Sequence, residues 1–384
     1  MSEVPTTKPR RRWLRFSLRT LFVAVLVVGV GLGLVVRNVQ KAERQRRAIE
    51  VLTKNGSYCH VSYGLDERGL QINEPRMPRW LVKLFGEDFF YSIKSIDGSK
   101  LAAFECLQCL SDLERLESVY FHNAPGKAIM PYVAGLAKAK FAEFSHCNLS
   151  DSDLEDLRGL VAMEALSLND NPVTGVGLIH LGDSRHLRNL YATGTQFDDA
   201  GMRNLADLRS LEHLTVSGSD QLTDEGFKVL RSLTALKRLL VQGGRISESS
   251  LKCLQGMRQL ESLGLDRNPN LGDAGLVHIE RLVSLRGLNL TDCGVTNLGL
   301  TSIGRITNLE HLWLDSNPIT SNGIVQLRGL SRLETLSLVG CSIDDSAVPE
   351  LKRFPKLEGV FVSFGAFSKS AVKELAPIRI IGNN

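Results

Sequence analysis

From Leu116 onward the chain repeats one arrangement of apolar and polar positions, L-x-x-L-x-L-x-x-[N/C/T]-x-[I/V/L/F]-[T/S/D]. Its first position falls at Leu116, Ala139, Met163, Leu187, Leu211, Leu236, Leu260, Leu285, Leu309, Leu333 and Leu357. Successive starts lie 23 to 25 residues apart, and the two units with an extra residue, "SDQLTDEG" and "NPNLGDAG", carry it in the same turn. Such a period outranks any single motif, because each unit is one small element that needs its neighbours to bury its apolar face.

Within a unit, the L-x-L core alternates with a period of two. This predicts a short strand with leucines turned inward and the intervening residues outward. The ninth position holds Asn171, Asn268 and Asn317, or Cys147, Cys293 and Cys341. An asparagine buried there must bond its neighbours' backbone or cost about 1 to 3 kcal/mol. Thr174, Asp198, Thr223, Ser247, Thr296, Thr320, Asp344 and Ser368 share a column suited to helix N-caps. Asp199, Asp224, Glu248, Asp273 and Asp345 follow them, acids that a helix dipole favours. Leu205, Leu230, Leu254, Leu327 and Leu351 then mark the inner side of a short helix, so each repeat reads as strand, turn, helix.

The N-terminal part follows different rules. Residues 20–36 contain no charge and rise about 25 Å as a helix, which just spans a bilayer if Arg19 and Arg37 snorkel toward the headgroups. This predicts one transmembrane helix after a basic tail, residues 1–19. A cleaved signal peptide is the rival reading, but no small-x-small site follows Val36. Gly29 and Gly33 form a GxxxG pair in the span, a spacing that lets two helices approach and a homodimer form. Residues 37–56 read as a charged juxtamembrane helical stalk that Asn55-Gly56 stops, and residues 57–92 as a small cap. The cap has a strand in "SYCHVSYGL" and an amphipathic helix in "PRMPRWLVKLFGEDFF".

Charge separates the two parts further. The net formal charge is +4, yet residues 1–47 hold eleven Lys and Arg against two Asp and Glu, leaving 35 against 40 beyond. Six of the cations precede the span and five follow it, which leans toward a cytoplasmic N-terminus and repeats on the non-cytoplasmic side. The repeats lack the basic stripe that nucleic-acid binding requires.

Catalytic chemistry has no visible home. Cys106 and Cys109 in "CLQC" stand without a second cysteine or histidine pair, and the histidines are scattered. No P-loop or G-x-S-x-G is present, and no cofactor or metal is implied.

The outward positions are therefore the candidates. The central column runs Tyr120, Glu143, Ser167, Tyr191, Thr215, Leu240, Gly264, Asn289, Trp313, Ser337 and Phe361. His213, Arg238 and His311 lie to one side of it, Asp266 and Asp315 to the other. Aromatics with polar neighbours on an open sheet are what protein interfaces use as anchors, so Tyr191, His213, Arg238, Asp266, Asn289, His311, Trp313 and Asp315 are the expected protein-binding set.

In its repeats the chain resembles the leucine-rich repeat family, over about Ile93 to Ile380, and "TDEG", "LGDAGL" and "VTNLGL" resemble its T-D-x-G-L sub-type. The layout, with "RFSLRTL" leading into the span and then "PRWLVKLFGEDFF", is similar to membrane-anchored bacterial repeat proteins of no established activity. The resemblance implies an α/β solenoid over residues 93–384, of about eleven repeats, with a parallel sheet on the concave face and short helices on the convex one. Similar repeats also stand behind an F-box in ubiquitin-ligase receptors, but no such box precedes these. The expected function is a non-enzymatic binding or scaffolding module in a bacterial envelope, recognising a protein or peptide. The alternative is a structural envelope component with no specific ligand.

Overall fold

The structure, a computed structural model, describes residues 18–62, 78–85, 89 and 91–382. The expectations for the basic tail over residues 1–17 and for the cap over 63–77, 86–88 and 90 fall outside the described residues. The chain divides into two units, residues 1–50 with 62–92, and residues 51–61 with 93–384.

Helix α1 (Leu18–Lys54) is continuous through both the predicted span and the predicted stalk. Its apolar part has a mean hydropathy of 2.2 and no buried residue, so it is long and apolar enough to cross a membrane. It ends as the sequence predicts. Gly56 takes φ +95°, and the N–H groups of Gly56 and Ser57 bond back to the carbonyls of Thr53 and Leu52 at 3.1 and 2.9 Å. Only glycine enters that left-handed conformation without a Cβ penalty. A short helix, α2 (Arg79–Phe85), leaves Trp80 and Leu84 exposed.

The second unit is built on a single sheet of fourteen strands in chain order. They are β1 (Tyr58–Ser62), β2 (Ser92–Asp97), β3 (Ser118–His122), β4 (Phe141–Ser145), β5 (Ala165–Ser167), β6 (Asn189–Ala192), β7 (His213–Ser217), β8 (Arg238–Gln242), β9 (Ser262–Gly264), β10 (Gly287–Asn289), β11 (His311–Trp313), β12 (Thr335–Leu338), β13 (Gly359–Val362) and β14 (Arg379–Ile381). From β2 onward every neighbouring pair is parallel. Strand β1, which the sequence places in the cap, is the first strand of this sheet, held in part by Ser57 Oγ donating to the Asp97 carbonyl at 2.9 Å. Strand β14, from "APIRIIGNN", pairs with β13 and finishes it.

Behind the strands the chain returns mostly through 3-10 turns and single α turns, since about ten residues are left for the way back. The inward leucines of the strands, Leu166, Leu190, Leu214, Leu239, Leu263, Leu288, Leu312 and Leu336, are all 0 or 1% exposed. Each contributes at most about 1.5 to 3 kcal/mol of hydrophobic stabilisation.

Two polar ladders tie repeat to repeat. In the first, Asn317 donates through Nδ2 to the carbonyls of Leu290, Leu314 and Asp315 at 2.7, 2.9 and 3.2 Å. Its Oδ1 accepts from Cys293 N and Val295 N at 3.2 and 2.9 Å. Asn171 repeats the pattern on Phe144, Leu168, Asn169, Cys147 and Leu149. Cysteines at the same position donate to a carbonyl of the preceding unit, Cys293 to Leu265 at 3.0 Å and Cys341 to Leu314 at 3.2 Å.

The second ladder gives acids that stand in the first helical turn, as expected for Asp199 and Asp224, a further role. Asp199 reaches forward to the next repeat, where its carboxylate accepts from Thr223 N, Thr223 Oγ1 and Gly226 N at 2.8, 2.6 and 3.0 Å. Asp151 serves Thr174 and Gly177 in the same way, and Asp273 serves Thr296. The T-D-x-G spacing follows from this. Threonine and glycine receive the preceding acid, and the aspartate becomes the acceptor for the following unit. Glycine is required because the units touch there: a Cβ on Gly275 would stand 2.6 Å from the Glu248 carbonyl oxygen.

Candidate binding face

Register places the predicted central column in one row across the sheet, from Tyr120 through Tyr191, Thr215, Leu240, Gly264, Asn289 and Trp313 to Phe361. Strand alternation causes this, because each leucine of the L-x-L core turns inward and forces its neighbours out. Trp313 and Tyr191 are half-buried, neither enclosed in the core nor fully in solvent.

Between them the face sinks into a hollow of about 400 Å³, lined among others by Tyr191, His213, Arg238, Leu240, Gly264 and Trp313. Asn289 and Ser262 also line it. Leu240 and Gly264 lie at its floor. At Gly264 the side chain of Leu240 leans into the place a Cβ would take, and at Gly287 a Cβ would lie 3.9 Å from Trp313 Cζ3, so the indole extends over that glycine. Sequence reasoning had Gly264 only as one member of the column. No local signal marks it as floor, because the residue that covers it, Leu240, comes from the neighbouring strand.

The structure thus brings five of the eight predicted residues into one concavity, Tyr191, His213, Arg238, Asn289 and Trp313. The other three lie beside it. His311 packs against Trp313 with ring centroids 5.9 Å apart. Asp315 is committed to the scaffold, accepting from Ser337 Oγ at 2.5 Å and Val339 N at 2.7 Å. Asp266 is buried, and burial pushes its carboxyl above the usual range.

Electrostatically the hollow is a donor site. Arg238 is exposed, and burial together with that guanidinium pushes the His213 imidazole below its ordinary value. Asn289 accepts from Thr291 N at 3.0 Å through Oδ1. No carboxylate lines the hollow. A second, shallower hollow of about 350 Å³ lies on the other side of Tyr191, over Ser167, with Glu143 in its lining.

Just outside these hollows, where each strand begins, charges alternate along neighbouring units: Lys94, Glu117, Lys140, Glu164, Arg188, Glu212, Lys237, Glu261, Arg286, Glu310. Arg188 and Lys237 both reach Glu212, at 2.9 and 2.6 Å, and Arg286 reaches Glu310 at 2.9 Å. Glu334 and Glu358 end the alternation with like charges.

The thiols of the CLQC pair and of the repeat turn are bonded to backbone. Cys106 and Cys109 donate to the Ala103 and Cys106 carbonyls at 2.9 Å each, and burial pushes Cys109 up to about 11 and Cys293 up to about 12. A thiol at those values is not a nucleophile near neutral pH. Among the described residues no group of His, Cys, Asp and Glu is arranged to hold a metal ion.

The model of the Leucine Rich repeat family matches residues 282–304, one unit from the end of one helical turn through β10 to the next. No curated protein matches the chain. Among solved structures it is similar to an internalin (inlF) of Listeria monocytogenes, with a TM-score of 0.57 and 19% identity, covering 76% of this chain and 87% of that one. It is also similar to TLR13 in a complex with ssRNA13, with a TM-score of 0.52 and 16% identity, covering 76% of this chain and 47% of that one. A leucine-rich repeat protein of Leptospira interrogans is similar at a TM-score of 0.47 and 17% identity, over 74% and 84% of the two chains. With its repeat pattern, its matched unit and a fold shared with the internalin and TLR13 structures, the chain is built as a leucine-rich repeat solenoid.

Proposed function

We propose that this chain is a membrane-anchored, non-enzymatic binding or scaffolding module that holds a protein or peptide on the concave face of its repeats. The observation that carries the reading is the hollow between Tyr191 and Trp313, an open concavity in which aromatic walls meet unused donors. Large aromatic side chains around a pocket supply most of the energy in protein interfaces. A protein partner fits better than RNA, the ligand in the TLR13 structure, because the chain beyond residue 47 has more acids than bases.

Helix α1 supplies the anchor in this reading, with the repeats on the non-cytoplasmic side of a bacterial envelope. Gly29 and Gly33 have nothing within 4 Å of their Cβ positions, so they offer a surface on which two copies pair. Proteolysis of intact cells tests the topology, which fails if residues beyond 48 are fully protected. Affinity capture from the native membrane tests the binding face: Trp313→Ala and Tyr191→Ala are expected to lose partners that the parent chain recovers. Unchanged recovery by both would sink the reading.

A further inference from the structure

We infer that the hollow over Gly264 selects an acidic peptide segment, taking a carboxylate at Arg238 and an apolar side chain beside it against Leu240 and the Trp313 indole. This rests on the binding function proposed above and specifies its ligand class.

The inference starts from unused hydrogen-bonding capacity. Among the described residues Arg238 makes no ion pair, although it projects from the first position of β8 into an aqueous concavity. No acid lines the hollow beside it. Glu212 is held by Arg188 and Lys237, Glu261 stands in the alternating row between Lys237 and Arg286, outside the lining, and Asp266 is buried. His213, beside Arg238, has its charged form disfavoured, so Arg238 is the formal charge of the hollow.

The remaining lining side chains offer donors that no described residue accepts from: the Tyr191, Thr215 and Ser262 hydroxyls, which can also accept, the Trp313 indole N–H and the Asn289 amide N–H groups, whose own oxygen is already used by Thr291 N. A carboxylate accepts only and is the natural complement to such a set. Beneath these groups the floor is the Leu240 side chain, which covers Gly264, with the Trp313 indole alongside; Asp266 Oδ1 lies 3.8 Å from the place a Gly264 Cβ would take, at the edge of that floor. A leucine- or phenylalanine-sized group next to the carboxylate fills that space. A free inorganic anion would leave it empty, and a basic segment would meet Arg238 with like charge. The hollow over Ser167 has the opposite character, with Glu143 as its charged lining residue, so the preference is local to one part of the face.

The test pans the full-length chain in detergent micelles against a phage-displayed library of random dodecapeptides, then measures synthetic versions of the recovered sequences. Recovered peptides are expected to place Asp or Glu beside an apolar residue. Replacing that acid by its amide, or Arg238 by Glu, is expected to weaken binding at least tenfold, and a peptide with Lys in place of the acid is expected to regain binding to Arg238→Glu. Gly264→Leu is expected to abolish binding. Arg238 is exposed, so its variant folds, and unchanged circular dichroism and melting verify this for both. Recovery of no binder, absence of an acidic preference, or indifference to Arg238→Glu would overturn the inference. Binding of single-stranded RNA or phosphatidylglycerol vesicles with the same Arg238 dependence, in place of peptides, would overturn it too. If peptides bind without acidic preference yet are lost in Trp313→Ala, the ligand class fails and the binding face stands. If neither Trp313→Ala nor Gly264→Leu matters, the proposed function falls with it.

Discussion

The turn at the end of β11 and the open face of the same strand come from one repeat, and they treat polar groups in opposite ways. At the turn, Asn317 is buried with three bonds donated and two accepted, all to backbone. On the face, Trp313 and its neighbours around the hollow keep donors that no described residue accepts. A buried polar group must be satisfied because it has no water to return to, whereas a group on an open concavity can remain solvated until a ligand replaces that water. Saturation therefore marks the parts that hold the repeats together, and residual capacity marks the part able to recognise something else.

The largest effect should come from the saturated side. Asn317→Ala strands several buried backbone groups at once and is expected to cost about 4 kcal/mol, on the basis of about 1 to 3 kcal/mol for each unsatisfied group after partial relaxation. The urea midpoint of the full chain in detergent measures it, and a midpoint within error of the parent would refute the five-bond account. Next comes Gly201→Ala, whose methyl would collide with the Thr174 carbonyl of the preceding unit. About 2 to 3 kcal/mol is expected, with the local amides of the Thr174 turn exchanging faster.

A smaller, pH-dependent effect belongs to Asp224. Partial burial raises its carboxyl, but hydrogen bonds from Ser247, Ser249 and Ser250 outweigh burial and hold it at about 2. Because the folded value lies below the unfolded value of about 4, the stabilisation is complete above pH ~4 and is lost as pH falls toward ~2. The melting temperature of the parent chain should drop more across that window than that of Asp224→Ala, and parallel profiles would dismiss the ladder as a source of stability. The smallest stability effect should be at Trp313→Ala. Less than about 1 kcal/mol is expected, since the site is open and leaves no sealed cavity. Its loss of partner capture would then contrast with Asn317→Ala, which should destabilise the fold while the remaining folded molecules still bind.

Much of the scaffold was legible because its causes are local. The L-x-L alternation, the Asn and Cys of the ninth position and the left-handed stop at Gly56 each act within a few residues of chain, and the strands, buried turns and helix end follow from them. The role of Asp199 was not legible in the same way. An acid just inside a short helix looks like a partner for its own helix dipole, and the sequence does not say that its acceptors face Thr223, 24 residues on. Asp266 and Asp315 show the same limit, since both occupy outward columns, yet one is buried and the other is bonded to Ser337 and Val339.

The sequence by itself determined the period, the inward leucines and the row in which Tyr191 and Trp313 stand, because a repeat of 23 to 25 residues with a two-residue alternation has few ways to fold. Only the tertiary structure decided which outward residues share a concavity. Gly264 and Asn289 line one hollow because β9 and β10 pair in register, which brings them side by side. Arg238 becomes its charge because the neighbouring Glu212 and Glu261 stand in the row outside the lining.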